Sequence, residues 1–115
     1  MKVEHRIEKD CAIIKINGNI NLYELHYIKD IFEIIQGIDL NRIILDLNDV
    51  EFIDSSGIGL LIVQANKARE RKQLFILSNL SRSVDQVLRI ASFKKLFLKT
   101  DSLEQAMTIT DEEEK

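Results

Sequence analysis

Two adjacent serines, Ser55 and Ser56, are the residues whose type and surroundings could support chemistry in this 115-residue sequence. They follow Asp54 in the stretch FIDSSGIG, and an apolar periodicity that is typical of a helix begins at Ile58. Aspartate and serine are preferred N-cap residues, so capping of this helix is the simplest role for them. Two sharper roles remain open: a nucleophile in catalysis and an acceptor for a phosphoryl group.

The sequence gives little support to a nucleophilic serine. The nucleophile elbow G-x-S-x-G needs a glycine two residues before the serine, and here Ile53 and Asp54 occupy those positions. The two histidines, His5 and His26, lie in a predicted strand and a predicted helix among apolar neighbours. Nothing in the pattern places either of them beside an orienting carboxylate, as a catalytic triad requires. A serine hydrolase is therefore the least favoured function.

A phosphate-accepting serine fits the same turn better. The N-terminus of a helix has free N–H groups and a positive dipole end, so it tolerates a phosphate. Gly57 and Gly59 remove side chains beside the serines, which should let the active site of a partner approach the backbone. A phosphate with a charge of about −1.5 to −2 would be repelled by Asp49, Asp54 and an acidic or apolar partner surface. Modification would then end binding without unfolding the domain.

Composition limits the remaining possibilities. Apolar residues make up 45% and charged residues 30% of the chain, as in a single soluble globular domain. The net charge of −3, with mixed signs along the chain, argues against a nucleic-acid partner. Cys11 is the only cysteine, so the chain has no internal disulfide, and a zinc site is improbable. A polar N-terminus and the lack of a long apolar run predict a cytoplasmic protein without direct membrane insertion.

Strand and helix patterns alternate along the chain. Strands are predicted at 3–8, 12–16, 42–47, 74–77 and 96–98. Besides the helix at the serine turn, further helices are predicted to begin at the capping residues Asn21, Ser81 and Asp101. Glu24 and Glu104 would complete capping boxes, and Gly37 would end the first helix. The apolar stripe of that first helix comprises Leu22, Leu25, Ile28, Phe32 and Ile35. The alternation predicts an α/β fold with a mixed, mostly parallel sheet of four to five strands and about four α-helices.

The predicted topology brings two turns together. If strands 11–16 and 42–47 are parallel, the turn 18–21 and the serine turn 54–57 leave the same edge of the sheet, where open α/β sheets place binding sites. Leu60 lies nearly opposite the apolar stripe of its own helix. Either another helix covers Leu60, or it belongs to an exposed docking patch beside Ser55.

The run NRIILDLNDVEFIDSSGIGLLI resembles the signature region of anti-sigma factor antagonists of the STAS family. In that family, an apolar strand and an acidic loop lead into a D-S-[ST]-G-[LI]-G turn. A partner anti-sigma factor kinase phosphorylates the first serine of the turn, which corresponds to Ser55, with Ser56 as the second choice. The resemblance extends to the opening hairpin and to the segment 93–97. It implies a STAS domain over residues 1–110, followed by a frayed acidic tail at 111–115.

The resemblance also implies a partner-switching function. The unphosphorylated protein binds an anti-sigma factor serine kinase and thereby releases a sigma factor. Phosphorylation ends this binding, and a serine phosphatase restores it. ATP and magnesium belong to the kinase, so the chain itself is expected to need no cofactor and to be no enzyme. The implied partner-binding residues are Asn19, Asn21, Asp54, Ser56, Gly57, Ile58, Gly59 and Leu60.

Two points within the resemblance stay open. The turn before the first helix is usually acidic in the family, of the G-E-L-D kind, whereas Asn21 keeps the capping ability here without the charge. This difference could change the choice of partner or its affinity. The alternative function is a STAS scaffold or regulatory subunit in a stressosome-like assembly or a membrane transport complex.

Overall fold

The computed structural model of the protein describes residues 1–90 and 97–110. The strands of this part are β1 (Lys2–Glu8), β2 (Cys11–Asn17), β3 (Arg42–Asp49), β4 (Leu74–Ser78) and β5 (Leu98–Thr100). The α-helices are α1 (Leu25–Ile35), α2 (Ser55–Glu70), α3 (Arg82–Ile90) and α4 (Leu103–Thr108), and a short 3-10 helix (Leu22–Glu24) precedes α1. The tail 111–115 and most of the segment 93–97 lie outside the described residues.

The strands form one five-stranded sheet in the order β1-β2-β3-β4-β5. The strands β2 to β5 are parallel, and β1 pairs antiparallel with β2 through a two-residue turn at Lys9 and Asp10. Lys9 has a φ of 56°, which suits a tight hairpin. The predicted α/β class, the mostly parallel sheet and the antiparallel first strand are confirmed.

Helices cover both faces of the sheet, because the central strands are apolar on both sides. One row of paired residues faces α1, α2 and α3, and consists of Ile14, Leu45 and Leu77. The opposite row packs against α4 and consists of Ile13, Ile44 and Ile76. No helix of the described ranges, 1–90 and 97–110, is long and apolar enough to cross a membrane.

The start of the first helix differs from the prediction. Asn21 does act as a cap, since its Oδ1 accepts a hydrogen bond from the backbone N–H of Tyr23 at 3.0 Å. However, the capped turn is a 3-10 helix, and α1 begins only at Leu25. Because a 3-10 helix has three residues per turn, it rotates Leu22 out of the predicted stripe, and Leu22 is exposed. The other four residues predicted for the stripe are buried.

The last strand and the last helix are each displaced from their predicted positions. Strand β5 begins at Leu98, whereas the predicted strand, 96–98, ended at this residue. The predicted capping box of Asp101 and Glu104 is wrong by one residue: Ser102 Oγ accepts from the N–H of Gln105 at 3.2 Å. In turn, Gln105 Oε1 accepts from the N–H of Asp101 at 3.0 Å. The predicted cap at Ser81 is confirmed, since its Oγ accepts from a backbone N–H of α3.

Candidate functional site

The turn 18–21 and the serine turn are in direct contact at the carboxyl edge of the sheet. The N–H of Ile20 donates to the carbonyl of Phe52 at 2.9 Å, and the N–H of Asp54 donates to the carbonyl of Ile20 at 3.0 Å. Ile20 and Ile53 thereby form an isolated parallel bridge beyond the ends of β2 and β3. The predicted proximity of the two turns is confirmed.

The carboxylate of Asp54 fixes the geometry of the serine turn. It caps α2, since Oδ1 accepts from the N–H of Gly57 at 2.9 Å and from Ser56 Oγ at 2.5 Å. Oδ2 accepts from the N–H of Leu22 at 3.1 Å, which ties the cap to the neighbouring turn. These donors, the Ser56 hydroxyl first, lower the pKa of Asp54 below its ordinary value. The predicted partner-binding residue Asp54 therefore uses its carboxylate within the chain.

The two serines have different environments. Ser56 is half-buried, and its hydroxyl donates to Asp54. Ser55 is the first residue of α2 and is exposed, and its side chain makes no hydrogen bond with the residues that the structure describes. The hydroxyl of Ser55 is thus accessible on a backbone held by its neighbours, which is the arrangement that an acceptor of a phosphoryl group requires.

The two glycines beside the serines have different roles. Gly57 is buried, and a Cβ at this position would lie 2.6 Å from Ile20 Cγ2 and 2.8 Å from Ile53 Cγ1. Its expected role in giving a partner room is therefore wrong: Gly57 lets the two turns of the chain approach each other. A Cβ at Gly59 would meet no heavy atom within 4 Å apart from its chain neighbours and the backbone of its own helix, so the space beside this glycine is open.

Leu60 is not part of an exposed patch. Only 6% of its surface is accessible. It belongs to the main core, which lies between the sheet row of Ile14, Leu45 and Leu77 and the helices α1, α2 and α3. The alternative, that other elements cover this side of α2, is correct, because helices lie on the same face of the sheet as α2. Ile58 is half-buried and packs against the same core. As a partner-binding residue, Leu60 is excluded by its burial.

Exposed apolar side chains adjoin the serine turn, and the sequence interpretation did not identify them. Leu22 is 63% exposed, Tyr23 84% and Phe52 53%. The contacts of Leu22 with Asp54 and of Phe52 with Ile20 place these residues around the turn. The sequence contained a signal for the exposure of Phe52. This residue directly precedes the buried Ile53 in an extended stretch, so the two side chains should point to opposite sides. Of the predicted partner-binding asparagines, Asn19 is exposed and Asn21 is half-buried.

A second candidate region lies farther along the same edge of the sheet. It is a polar cavity of about 690 Å³ with Arg82, Asp85, Arg89 and Lys99 in its lining. Asp85 holds two of these cations, at 2.9 Å from Arg89 and 3.0 Å from Lys99. The hydrogen bond from Lys99 is the main cause that lowers the pKa of Asp85. Much of the charge in this cavity is therefore compensated within it.

Neither histidine forms part of a catalytic arrangement with the serines. His5 lies in the edge strand β1, and His26 lies in α1 with its ring against that of Tyr27 at a centroid distance of 4.0 Å. Both side chains are exposed. Within residues 1–90 and 97–110, no hydrogen bond joins a histidine to Ser55 or to Asp54. In the described geometry, neither histidine is placed to act as a general base for Ser55.

Comparison with known proteins finds a family and several relatives that this chain matches. A family model described as the STAS domain matches residues 2–106. A Thermotoga maritima protein named as a candidate anti-sigma factor antagonist is 26% identical over 104 residues, which cover 90% of this chain and 92% of that protein. A crystal structure of such a protein from the same organism has a TM-score of 0.82, with 26% identity and 91% coverage of both chains.

A further solved structure shares the fold at lower identity. It is that of the Bacillus cell fate determinant SpoIIAA in its phosphorylated form, with a TM-score of 0.71 and 19% identity. The match covers 92% of this chain and 96% of that one. The sheet and the helices that position the serine turn therefore recur in a protein that is known in a phosphorylated state.

Proposed function

The chain belongs to the STAS domain family, and from that premise we propose that it is an anti-sigma factor antagonist that is controlled by phosphorylation of Ser55. The observation that carries the proposal is the hydroxyl of Ser55, which is exposed and unbonded within the described structure, on a turn whose neighbouring polar groups are bonded. The names of the Thermotoga maritima relatives and the phosphorylated form of SpoIIAA support it.

The unphosphorylated protein binds an anti-sigma factor serine kinase through the surface around the serine turn. Leu22, Tyr23 and Phe52 supply exposed apolar area there, and aromatic anchors of this kind carry much of the binding energy in protein interfaces. The open space at Gly59 lets the kinase reach the backbone beside Ser55. Binding of the kinase releases its sigma factor.

The chain is the substrate in the phosphorylation step and supplies no catalytic group. The γ-phosphoryl group of ATP is transferred to Ser55 Oγ, the hydroxyl proton passes to a base of the kinase, and ADP leaves. The kinase provides the ATP and magnesium that this transfer needs. What the chain contributes is the position of the hydroxyl, which the hydrogen bonds of Asp54 hold at the start of α2.

The phosphate weakens binding without unfolding the domain. It adds a charge of about −1.5 to −2 beside the carboxylate of Asp54, whose lowered pKa keeps it ionised, and among apolar side chains. An apolar interface cannot desolvate such a group without a large cost. The N-terminus of α2 nevertheless favours negative charge, so the fold persists. A serine phosphatase then restores the binding form.

The test compares binding of the wild type and of Ser55→Asp to the cognate anti-sigma factor kinase by calorimetry. We expect Ser55→Asp to bind at least about tenfold more weakly, a loss of about 1.4 kcal/mol, while its Tm stays within a few degrees of the wild type. Asn66→Asp is the matched control, because it adds the same charge at an exposed position of the same helix. Equal binding of the kinase by Ser55→Asp and the wild type would contradict the proposal. A wild type that does not bind the kinase but assembles into a multiprotein scaffold would contradict it as well.

A further inference from the structure

The edge strand β1 carries an unusual arrangement of charges. It pairs with β2 on one side only, so within the described residues its other edge is free for pairing. Its sequence, KVEHRIE, places charged residues at every second position: Lys2, Glu4, Arg6 and Glu8. From this strand we infer a homodimer, in which β1 pairs antiparallel with β1 of a second copy around a two-fold axis at His5.

The backbone of β1 offers hydrogen bonds at the positions that this pairing needs. Glu8 and Cys11 close the two-residue hairpin, so they form a hydrogen-bonded pair, and such pairs alternate along the ladder. The even-numbered residues therefore direct their N–H and C=O groups toward β2. Val3, His5 and Ile7 direct theirs outward. Pairing around His5 joins these outward groups in about six hydrogen bonds between the copies.

The charges of β1 are complementary in this register. When His5 lies opposite His5 of the second copy, Lys2 lies opposite Glu8 of that copy, and Glu4 lies opposite Arg6 of that copy. These four positions are the non-hydrogen-bonded pairs of the new ladder, where Cα atoms approach to about 4.5 Å and side chains interact most closely. Two-fold symmetry repeats each pair, so opposite charges meet at every charged position.

Shifted registers place like charges together. A slip of two residues in one direction puts Glu4 opposite Glu4 and Lys2 opposite Arg6. A slip of two in the other direction puts Arg6 opposite Arg6 and Glu4 opposite Glu8. Like charges directly opposite each other destabilise a strand pair, and a slip of one residue mismatches the outward backbone groups. The charge order thus favours one register. In the single chain the same side chains pair along the strand, Lys2 with Glu4 at 3.1 Å and Arg6 with Glu8 at 3.4 Å. These exposed pairs contribute little to stability, so the side chains are available to pair across the dimer.

The other face of β1 supplies apolar surface to the same contact. Val3 packs against the main core, and in the proposed register it lies opposite Ile7, which is exposed. Helix α1 packs against β1 on this face. The buried side chains of α1 share the main core with Val3 and with Ile16, the residue of β2 that pairs with Val3. Tyr27 and Ile34 of α1 are exposed. The axis brings both α1 helices to one face of the joined sheet, which enlarges the buried area beyond the strands.

The dimer leaves both serine turns accessible. The two-fold axis reverses the direction of the second sheet, so the carboxyl edges of the two copies point to opposite ends of the joined sheet. Each copy then presents its own Ser55 away from the interface. The dimer does not depend on binding of the proposed kinase, because the dimer contacts lie on β1 and the kinase surface lies around the serine turn.

The experiment is sedimentation velocity of the full chain and of two charge variants, Glu4→Lys and Arg6→Glu. We expect the wild type to form a dimer. Each single variant should dimerise at least about tenfold more weakly, because the symmetry places the like-charge contact in the interface twice. An equimolar mixture of the two variants should form a heterodimer, because positions 4 and 6 of each chain then face opposite charges on the other chain.

The double variant Glu4→Lys/Arg6→Glu restores complementary pairs and should dimerise like the wild type. Glu70→Lys is the matched control, with the same charge change at an exposed position of α2, and should leave the dimer intact. His5→Pro removes one outward N–H without touching the ladder to β2, so it should give a folded monomer, whereas His5→Ala should remain a dimer. A monomeric wild type, or single variants that dimerise as well as the wild type, would overturn the proposal.

Discussion

The serine turn and the polar cavity lie at the same edge of the sheet, but they satisfy their polar groups differently. At the serine turn, Asp54 takes three hydrogen bonds from within the chain, and the hydroxyl of Ser55 is left exposed. In the cavity, Asp85 binds Arg89 and Lys99, so side chains that could hold a ligand hold one another. Much of the charge in the cavity is therefore compensated within it, whereas the serine turn offers an exposed hydroxyl.

Under the proposed function, this difference distinguishes a site that another enzyme modifies from a site that binds a ligand. A small ligand needs a cleft with convergent polar groups. A protein that is modified by another enzyme needs an accessible group on a backbone that does not move, with open space beside it. The bonded carboxylate of Asp54 and the close packing at Gly57 provide the fixed backbone, and Gly59 provides the space. Four substitutions test this contrast, from the largest expected effect to the smallest.

Gly57→Ala should break the contact between the two turns. The added Cβ would lie within 3 Å of side-chain atoms of Ile20 and Ile53, at 2.6 and 2.8 Å, in a buried position. Overpacking of this kind typically costs about 1–3 kcal/mol. Denaturant unfolding should show a lower midpoint with an unchanged slope. A stability equal to that of the wild type would mean that the turns are not held together at Gly57.

Gly59→Ala should separate stability from function. No atom obstructs a Cβ here, and alanine is favoured over glycine within a helix by roughly 0.5–1 kcal/mol, so the Tm should rise. The same methyl group occupies the space that the kinase needs, so phosphorylation of Ser55 should slow. Thermal unfolding and a phosphorylation time course measure the two effects. A more stable variant that is phosphorylated at the wild-type rate would show that Gly59 does not serve the approach of the kinase.

Asp54→Asn should change the pH dependence of stability. Asparagine still caps a helix, but it cannot ionise. Because the pKa of Asp54 is lowered in the folded protein, its ionised form stabilises the fold above the unfolded pKa of about 4, and this stability is lost as the pH falls through the folded pKa. Unfolding free energies between about pH 6 and pH 2 should therefore decline less steeply for Asp54→Asn than for the wild type. Parallel curves would show that the carboxylate does not stabilise the turn as a charge.

Arg89→Ala should have the smallest effect. The ion pair joins the exposed side chain of Arg89 to the half-buried Asp85 across one helical turn, so its loss should cost no more than about 0.5 kcal/mol. Binding of the anti-sigma factor kinase should be unchanged, as measured by calorimetry beside Ser55→Asp. A loss of kinase binding in Arg89→Ala that matches the loss in Ser55→Asp would place the cavity within the partner surface and remove the contrast between the two regions.

The parts of this site that depend on local pattern and topology were predictable from the sequence. Parallel strands predicted that the turns would meet, and the preference of aspartate and serine for helix starts predicted the cap that Asp54 provides. The assignment of Ser55 as the phosphorylated residue came from the family resemblance and stays a prediction. The parts that depend on contacts distant in sequence were not predictable. The bond from Leu22 to Asp54 joins residues 32 positions apart, and the steric need for Gly57 arises from Ile20 on the other turn.

Two further differences have the same cause. Periodicity alone could not decide whether Leu60 is covered, since helix packing in the folded chain buries it. The exposure of Leu22 follows from a 3-10 turn, whose sequence looks like the first turn of an α-helix. Both residues bear on the proposed partner surface, because Leu60 is buried and Leu22 is exposed beside the serine turn.

The central claim is that Ser55, and not Ser56, accepts the phosphoryl group. The direct measurement is incubation of the wild type, Ser55→Ala and Ser56→Ala with the cognate anti-sigma factor kinase and ATP, followed by mass spectrometry of the intact chains and their peptides. The account predicts one added phosphoryl group on the wild type and on Ser56→Ala, and none on Ser55→Ala. Equal labelling of Ser55→Ala and Ser56→Ala would contradict it.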